Sequence, residues 1–156
     1  MEHGTIEREL YIEASVDVVF DVISSPEHLK AWWPDEAETT VVPGEAGRIG
    51  FGDPAKGELT WVQFTVVDAE PPRRFSFRWT HDEGVAAAPG NSLLVEFELE
   101  PAGTGTRLRM TERGFYERGW SQAKAAAEHA EHVTGWDHYL PRLAAYAPTV
   151  AAEAGA

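Results

Sequence analysis

Residues 93–112 read LLVEFELEPAGTGTRLRMTE, the clearest strand pattern in the chain. In each half, large apolar residues alternate with charged or polar ones. A period of two is typical of strands with one buried face. The GTG sequence at 103–105 has the residues that tight turns favour, so the stretch predicts an antiparallel hairpin.

Five further stretches show the same alternation and are predicted to be strands. They are residues 6–12, 39–42, 47–51, 59–69 and 75–79. The stretch 59–69 carries large residues on both faces, so the sequence does not indicate which face of that strand points inward. Pro71 and Pro72 separate it from the next strand, and a loop is predicted over 81–91.

The period changes to 3.6 residues in three places, which predicts helices. Ser15 is a suitable N-cap for the first helix, and Pro26 can open a short second one. From residue 120 to about 146, apolar residues recur at helical spacing over a much longer stretch. Pro141 lies inside this pattern, so we expect a kink just before it.

The order of these elements predicts an α+β fold, in which a curled antiparallel sheet of six or seven strands wraps around the long C-terminal helix. Two short helices follow the first strand. We expect a single domain over residues 1–150 and a frayed tail over residues 151–156, which are mostly small and uncharged. The space between a curled sheet and its helix is the expected place for a ligand.

Composition narrows the classes of function. The chain has 156 residues, of which 13 are basic and 26 acidic, so its net charge is −13. This charge disfavours nucleic acids and anionic membranes as partners. The absence of cysteine excludes disulfides and thiol chemistry. Because the chain begins with no signal-peptide pattern and contains no long apolar run, we expect a cytoplasmic protein.

Several short motifs point together to a known family. They are WWP at 32–34, PPRRFSFRW at 71–79, GTRLRMT at 105–111, GF at 114–115 and HVTGW at 132–136. In this order and spacing the chain resembles the AHSA1-like (activator of Hsp90 ATPase homologue) branch of the START/Bet v 1-like helix-grip superfamily. The resemblance extends from about residue 6 to about residue 146.

The resemblance implies a fold more strongly than an activity, because the superfamily includes lipid and hormone carriers, polyketide cyclases and co-chaperone domains. The eukaryotic co-chaperones carry an additional N-terminal chaperone-binding domain. Because the first predicted strand begins at residue 6, we expect no such domain before it. We therefore do not expect this chain to stimulate Hsp90. The resemblance is also compatible with a homodimer, since helix-grip domains often pair.

Alternation on the predicted strands places aromatic side chains on one face. We expect this aromatic face to point toward the helix and to line a cavity for a small apolar or amphipathic molecule. The predicted cavity-lining residues are Trp33, Phe75, Phe77, Trp79, Phe97, Met110, Glu112, His132 and Trp136. Trp136, at helical spacing with Leu140 and Leu143, fits a packing anchor better than a ligand contact.

Glu112 and His132 are the two candidates for chemistry. Glu112 continues the apolar parity of Leu108 and Met110, so it either points toward the helix or lies in water beyond the end of the strand. If it points inward, it needs Arg78, Arg113 or a helix histidine as a partner. An enzyme of cyclase or hydrolase type that uses Glu112 with His132 is the alternative to a binding protein.

No cofactor or metal is predicted. His129 and His132 share a helical face, but the sequence around them lacks the HExxH and HxxEH patterns of zinc sites. Neither a G-x-S-x-G nucleophile motif nor a P-loop is present.

Overall fold

The computed structural model describes residues 4–154. These residues form strands and helices in the order that the sequence patterns predict. The elements are β1 (Thr5–Ile12), α1 (Val16–Ser24), α2 (Pro26–Trp32), β2 (Glu36–Glu38), β3 (Ala46–Phe51), a 3-10 turn (Pro54–Lys56), β4 (Thr60–Glu70), β5 (Arg74–Trp79), β6 (Leu93–Ala102), β7 (Gly105–Arg113) and α3 (Gln122–Ala154). The seven strands form one antiparallel sheet in the order β1-β7-β6-β5-β4-β3-β2. With the long helix against it, this is the α+β helix-grip architecture.

The two faces of the sheet differ as the alternation requires. Cross-strand pairs such as Phe97 with Met110 and Phe77 with Val66 set the apolar residues of neighbouring strands on one face. On β4 this inner face carries Val66 and Phe64, both about 1% exposed, whereas Val67 is 39% exposed. The structure thus shows which side of this strand points inward.

The second strand lies three residues earlier than predicted. The sequence favours a strand over 39–42 because β-branched residues are frequent in strands. In the structure β2 spans Glu36–Glu38 and pairs with β3, while residues 41–45 are exposed in the connection between them. The prediction was wrong because pairing with β3 decides the position of this short edge strand, and local propensity does not.

The last helix is longer than predicted. It continues through Pro141 and Pro148 to Ala154, so residues 151–154 belong to α3 and not to a frayed tail. Val150 and Ala151 pack against the core, which gives the last turns a reason to stay helical. Residues 155 and 156 lie outside the described residues. The kink before Pro141 stays a prediction.

The two short helices place Trp33 in the interior. Ser15 caps α1 by accepting a hydrogen bond from the Val18 backbone N–H at 3.3 Å. Trp32, fully buried at the end of α2, donates its indole N–H to the Val22 carbonyl at 3.0 Å. This bond ties α2 to α1, and the next residue, Trp33, is 5% exposed between sheet and helix.

The core is aromatic and lies between the inner face of the sheet and α3. Phe64 and Phe77 stack with their ring centroids 4.2 Å apart, and both are buried. An ion pair of Arg8 on β1 with Asp137 on α3, at 2.8 Å, joins helix and sheet at the rim. Among residues 4–154 no helix is long and apolar enough to cross a membrane.

Candidate functional site

A carboxylate is buried in the aromatic core at the inner face of β7. Glu112 has no exposed surface, and three N–H groups surround it. The Trp79 indole nitrogen lies 2.7 Å from Oε2, and the Trp136 indole nitrogen lies 2.9 Å from Oε1. His132 places Nδ1 2.9 Å from Oε1. Because these donors come from β5 and α3, the site exists only when helix and sheet are assembled.

His132 supplies the counter-charge. Burial alone would lower the pKa of its imidazole, but the hydrogen bond and the negative charge of Glu112 act in the opposite direction. The charges of Glu128 and Glu131 on the same helix add to this effect, and the pKa of His132 is raised above its ordinary value. Glu128 lies 3.9 Å from Nε2, too far for a hydrogen bond. The pair of Glu112 and His132 is therefore a buried ion pair when the imidazole is protonated.

The structure distinguishes the two positions that the sequence left open for the Glu112 side chain. The strand continues to Arg113, so Glu112 points inward with the parity of Met110 and does not lie in water. Of its three predicted partners, only the helix histidine contacts it. Arg113 pairs with Glu96, and Arg78 lies near Ser92, because alternation sends both arginines to the outer face of the sheet.

A small cleft opens beside this ion pair, between α3 and the ends of β3 and β5. Its volume is about 190 Å³. The residues that line it are Trp33, Phe51, Trp79, Glu131, His132, Gly135, Trp136 and Tyr139. Five of the eight are aromatic, and the described lining contains no lysine or arginine. We call this feature the aromatic cleft.

The rings of the aromatic cleft meet at steep angles. Trp33 lies 5.1 Å from Trp79 between ring centroids, at an interplanar angle of 61°. Phe51 lies 6.1 Å from Trp33 at 69°, whereas Trp136 lies 5.2 Å from it at 33°. Trp33 and its neighbours therefore form a corner and not a flat stack.

A glycine in the middle of α3 keeps the aromatic cleft open. Gly135 lies one turn from both Glu131 and Tyr139, and a Cβ built on it would meet nothing within 4 Å outside the local helix backbone. Glycine within a helix lowers its stability by about 1 kcal/mol relative to alanine. No close packing requires a glycine at this position, and the space that it leaves is part of the cleft.

The nine residues predicted from the sequence divide into three groups. Four line the aromatic cleft: Trp33, Trp79, His132 and Trp136. Glu112 lies directly behind the cleft, bonded to three of them. The other four, Phe75, Phe77, Phe97 and Met110, are buried core residues outside the lining. Trp136, for which the sequence favoured packing over ligand contact, packs against Phe97 of the core and also donates a hydrogen bond to Glu112.

Sequence reasoning missed four lining residues: Phe51, Glu131, Gly135 and Tyr139. A helical glycine was the one available signal, because Gly135 interrupts an otherwise helix-favouring stretch. Phe51 gave none, since an aromatic residue at the end of a strand is ordinary.

The larger surface hollows lie on the other face of the sheet. One of about 500 Å³ is lined mainly by arginines and glutamates of β5, β6 and β7. Their charges pair with one another, as Arg107 does with Glu100 at 2.8 Å. Within residues 4–154 no group of three or more His, Asp or Glu side chains is placed to hold a metal ion.

Comparison with known proteins agrees with this architecture. The family model described as Activator of Hsp90 ATPase homolog 1-like protein matches residues 13–147. Protein NE0264 from Nitrosomonas europaea superposes with a TM-score of 0.75 at 17% identity, over 96% of this chain and 97% of that one. A protein from Arthrobacter aurescens gives 0.75 at 20% identity, over 95% and 88%.

DynU16, from the dynemicin biosynthetic locus, is also similar, with a TM-score of 0.69 at 23% identity. The similarity covers 95% of this chain and 48% of DynU16, so this chain spans about half the length of that protein. No curated protein matches the chain. At these identities the solved structures show a shared fold, and fold alone does not determine activity.

Replacing the buried carboxylate tests the three hydrogen bonds. Glu112→Gln should lower the free energy of unfolding by about 3 kcal/mol, because an amide cannot accept from all three donors and sets its own N–H₂ against one of them. Urea denaturation measures the loss. Glu98→Gln, an exposed substitution on the outer face of β6, is the control and should change stability by no more than about 0.5 kcal/mol. A loss below about 1 kcal/mol for Glu112→Gln would contradict this account.

The raised pKa of His132 makes stability depend on pH. A raised pKa in the folded state contributes stability that is fully present below the unfolded value of about 6.5 and is lost as pH rises through the folded value. Glu112 on β7 and Glu128 and Glu131 on α3 are the charged groups that cause the shift. The wild type should therefore lose stability relative to His132→Gln as pH rises above about 6.5.

Denaturation between about pH 5.5 and pH 8.5 measures this difference. His138→Gln, at an exposed position of the same helix, is the matched control and should keep the wild-type pH dependence. Parallel curves for the wild type and His132→Gln would show that this histidine is not coupled to folding.

Proposed function

The chain belongs to the family of Activator of Hsp90 ATPase homolog 1-like proteins, and from that premise we propose that it binds a small amphipathic molecule in the aromatic cleft. The observation that carries the proposal is the cleft itself, which lies between sheet and helix and is lined by five aromatic side chains. Ligand sites in proteins are mostly apolar hollows with a few placed polar groups, and this one ends on a buried ion pair.

The size of the cleft restricts the ligand. Drug-sized molecules occupy pockets of ~300–1,000 Å³, whereas this cleft has about 190 Å³. A molecule of one or two rings, or a compact branched group, matches that space. Burial of ~200 Å² of apolar ligand surface at ~25 cal/mol per Å² gives about 5 kcal/mol, which corresponds to dissociation constants of roughly 0.1–1 mM.

His132 is the group that fixes the polar end of the ligand. Its Nδ1 is occupied by Glu112, and its Nε2 makes no hydrogen bond with the described residues, since Glu128 lies 3.9 Å away. A ligand oxygen beside the imidazole can accept a hydrogen bond from the Nε2–H of the protonated ring. The apolar part of the ligand then lies against Trp33, Phe51 and Tyr139.

Filling the cleft with a side chain should abolish binding without damaging the fold. Gly135→Leu projects a branched side chain into space where a Cβ meets no neighbour. We expect the variant to be at least as stable as the wild type, because leucine favours helix over glycine by up to about 1 kcal/mol. Titration with 2-naphthol, a neutral two-ring probe, should shift the indole N–H signals of Trp79 and Trp136 in the wild-type NMR spectrum and leave them unchanged in Gly135→Leu.

The control is Ala127→Leu, which adds the same side chain at an exposed position two turns earlier on α3. It should bind 2-naphthol like the wild type. Equal binding by the wild type and Gly135→Leu would show that the probe sits elsewhere, and no saturable shift in the wild type would count against a ligand site here.

A second candidate function is an enzyme of cyclase or hydrolase type that works in the same cleft. The observation that favours it is the ion pair at its back, where Glu112 and His132 lie 2.9 Å apart and the pKa of the histidine is raised. A protonated imidazole at the wall of a cleft is placed to act as a general acid.

Hydrolysis of 2-naphthyl acetate distinguishes the two functions, because its product is the binding probe. If the protein only binds, the wild type should release 2-naphthol no faster than Gly135→Leu. Saturable release that is lost in both Gly135→Leu and His132→Gln would favour the enzyme.

A further inference from the structure

Resting on the proposed function of the aromatic cleft, we propose that its occupant carries a methylated ammonium group, which is held by the aromatic rings with its charge matched by Glu131. Three features support this class of ligand: the aromatic side chains of the lining, the balance of charge around them, and the fact that the buried carboxylate behind them is already engaged by three donors.

Aromatic rings make up most of the lining, and such rings attract cations. An aromatic face carries partial negative charge, and a cation within about 6 Å of the ring centre is attracted to it, most strongly for tryptophan. Trp33, Trp79 and Phe51 all line the cleft, and because Trp79 and Phe51 stand at 61° and 69° to Trp33, the planes of the three rings run in different directions. A compact, rounded group such as trimethylammonium can contact several walls of a corner at once, whereas a flat ring contacts one.

The charges around the cleft favour a cation. Glu131 is exposed and lines the cleft, and Glu128 lies one turn before His132 on the same helix. His132 is the only lining residue in the described structure that can carry positive charge, and it lies 2.9 Å from the carboxylate of Glu112. The ion pair is thus close to neutral, and Glu131 leaves the cleft with net negative charge. The net charge of −13 over the whole chain acts in the same direction at long range.

The lining distinguishes a methylated ammonium from a primary one. A primary ammonium has three N–H groups that must be satisfied when it leaves water. The buried carboxylate behind the cleft already receives the indole N–H groups of Trp79 and Trp136 and the imidazole of His132, so Glu131 is the carboxylate left to accept them, and it faces a bound ammonium from one side. A fully methylated nitrogen has no N–H to satisfy, and its methyl groups gain from contact with apolar rings.

Choline and 3,3-dimethylbutan-1-ol form the test pair, because they have the same shape and hydroxyl group and differ in the charge of the central atom. We expect choline to bind the protein about tenfold more tightly than the neutral alcohol, because the rings attract the cation. Indole N–H shifts of Trp79 and Trp136 report both titrations, and Gly135→Leu should abolish both.

Two charge variants identify the carboxylate involved. Glu131→Gln should weaken choline binding about threefold or more and leave the alcohol unchanged, since it removes the charge at the cleft. Glu98→Gln removes the same charge from the outer face of the sheet and should leave both affinities unchanged. Equal effects of the two variants on choline would overturn the role of Glu131.

The outcomes separate this inference from the proposed function. If choline binds no better than the alcohol, or not at all while 2-naphthol binds, the inference is wrong and the binding function stands. If none of the three probes gives a saturable shift, both are wrong. Tighter binding of choline that depends on Gly135 and Glu131 would support both.

Discussion

The buried carboxylate of Glu112 holds the long helix in place on the sheet. A charge without exposed surface is very costly unless hydrogen bonds and a counter-charge replace the water that it has lost. Here β5 supplies one indole N–H through Trp79, and α3 supplies an indole through Trp136 and an imidazole through His132. A one-residue shift of the helix along the sheet would break two of these bonds, so the carboxylate fixes the position of α3.

The same arrangement decides where a ligand can fit. Trp33, delivered by α2, contacts Phe77, Trp79 and Trp136 within 5.1–5.7 Å between ring centroids. Its indole fills the middle of the space between sheet and helix, so Phe75, Phe77 and Phe97 are core residues, whereas Trp79 at the end of β5 lines the aromatic cleft. Only the end near Phe51 and Tyr139 stays open, because Gly135 has no side chain to close it. The aromatic cleft is therefore what remains after the indoles have packed around Glu112.

Much of the fold follows from local signals in the sequence. The period of two predicts most of the strands, and the parity of Leu108, Met110 and Glu112 indicates the inward direction of the carboxylate. The position of β2 and the length of α3 could not be predicted, because pairing with β3 and packing of the last turns are tertiary effects. The site is less predictable still. Whether His132 or an arginine reaches Glu112 depends on how α3 lies on the sheet, which no spacing within one element encodes.

The ion pair and the cleft are linked through charge. Were the carboxylate replaced by an apolar group, His132 would lose its main partner, and burial would act to lower the pKa of the imidazole against the charges of Glu128 and Glu131 alone. With Glu112 present, the pKa of the imidazole is raised and its Nδ1 is engaged, so Nε2 is the ring nitrogen without a hydrogen bond to the described residues. The buried carboxylate thus shapes the proposed site without lining the cleft. It orders two indoles and an imidazole of the lining, and it balances the charge that the imidazole carries when it is protonated, so that Glu131 sets the net charge at the cleft.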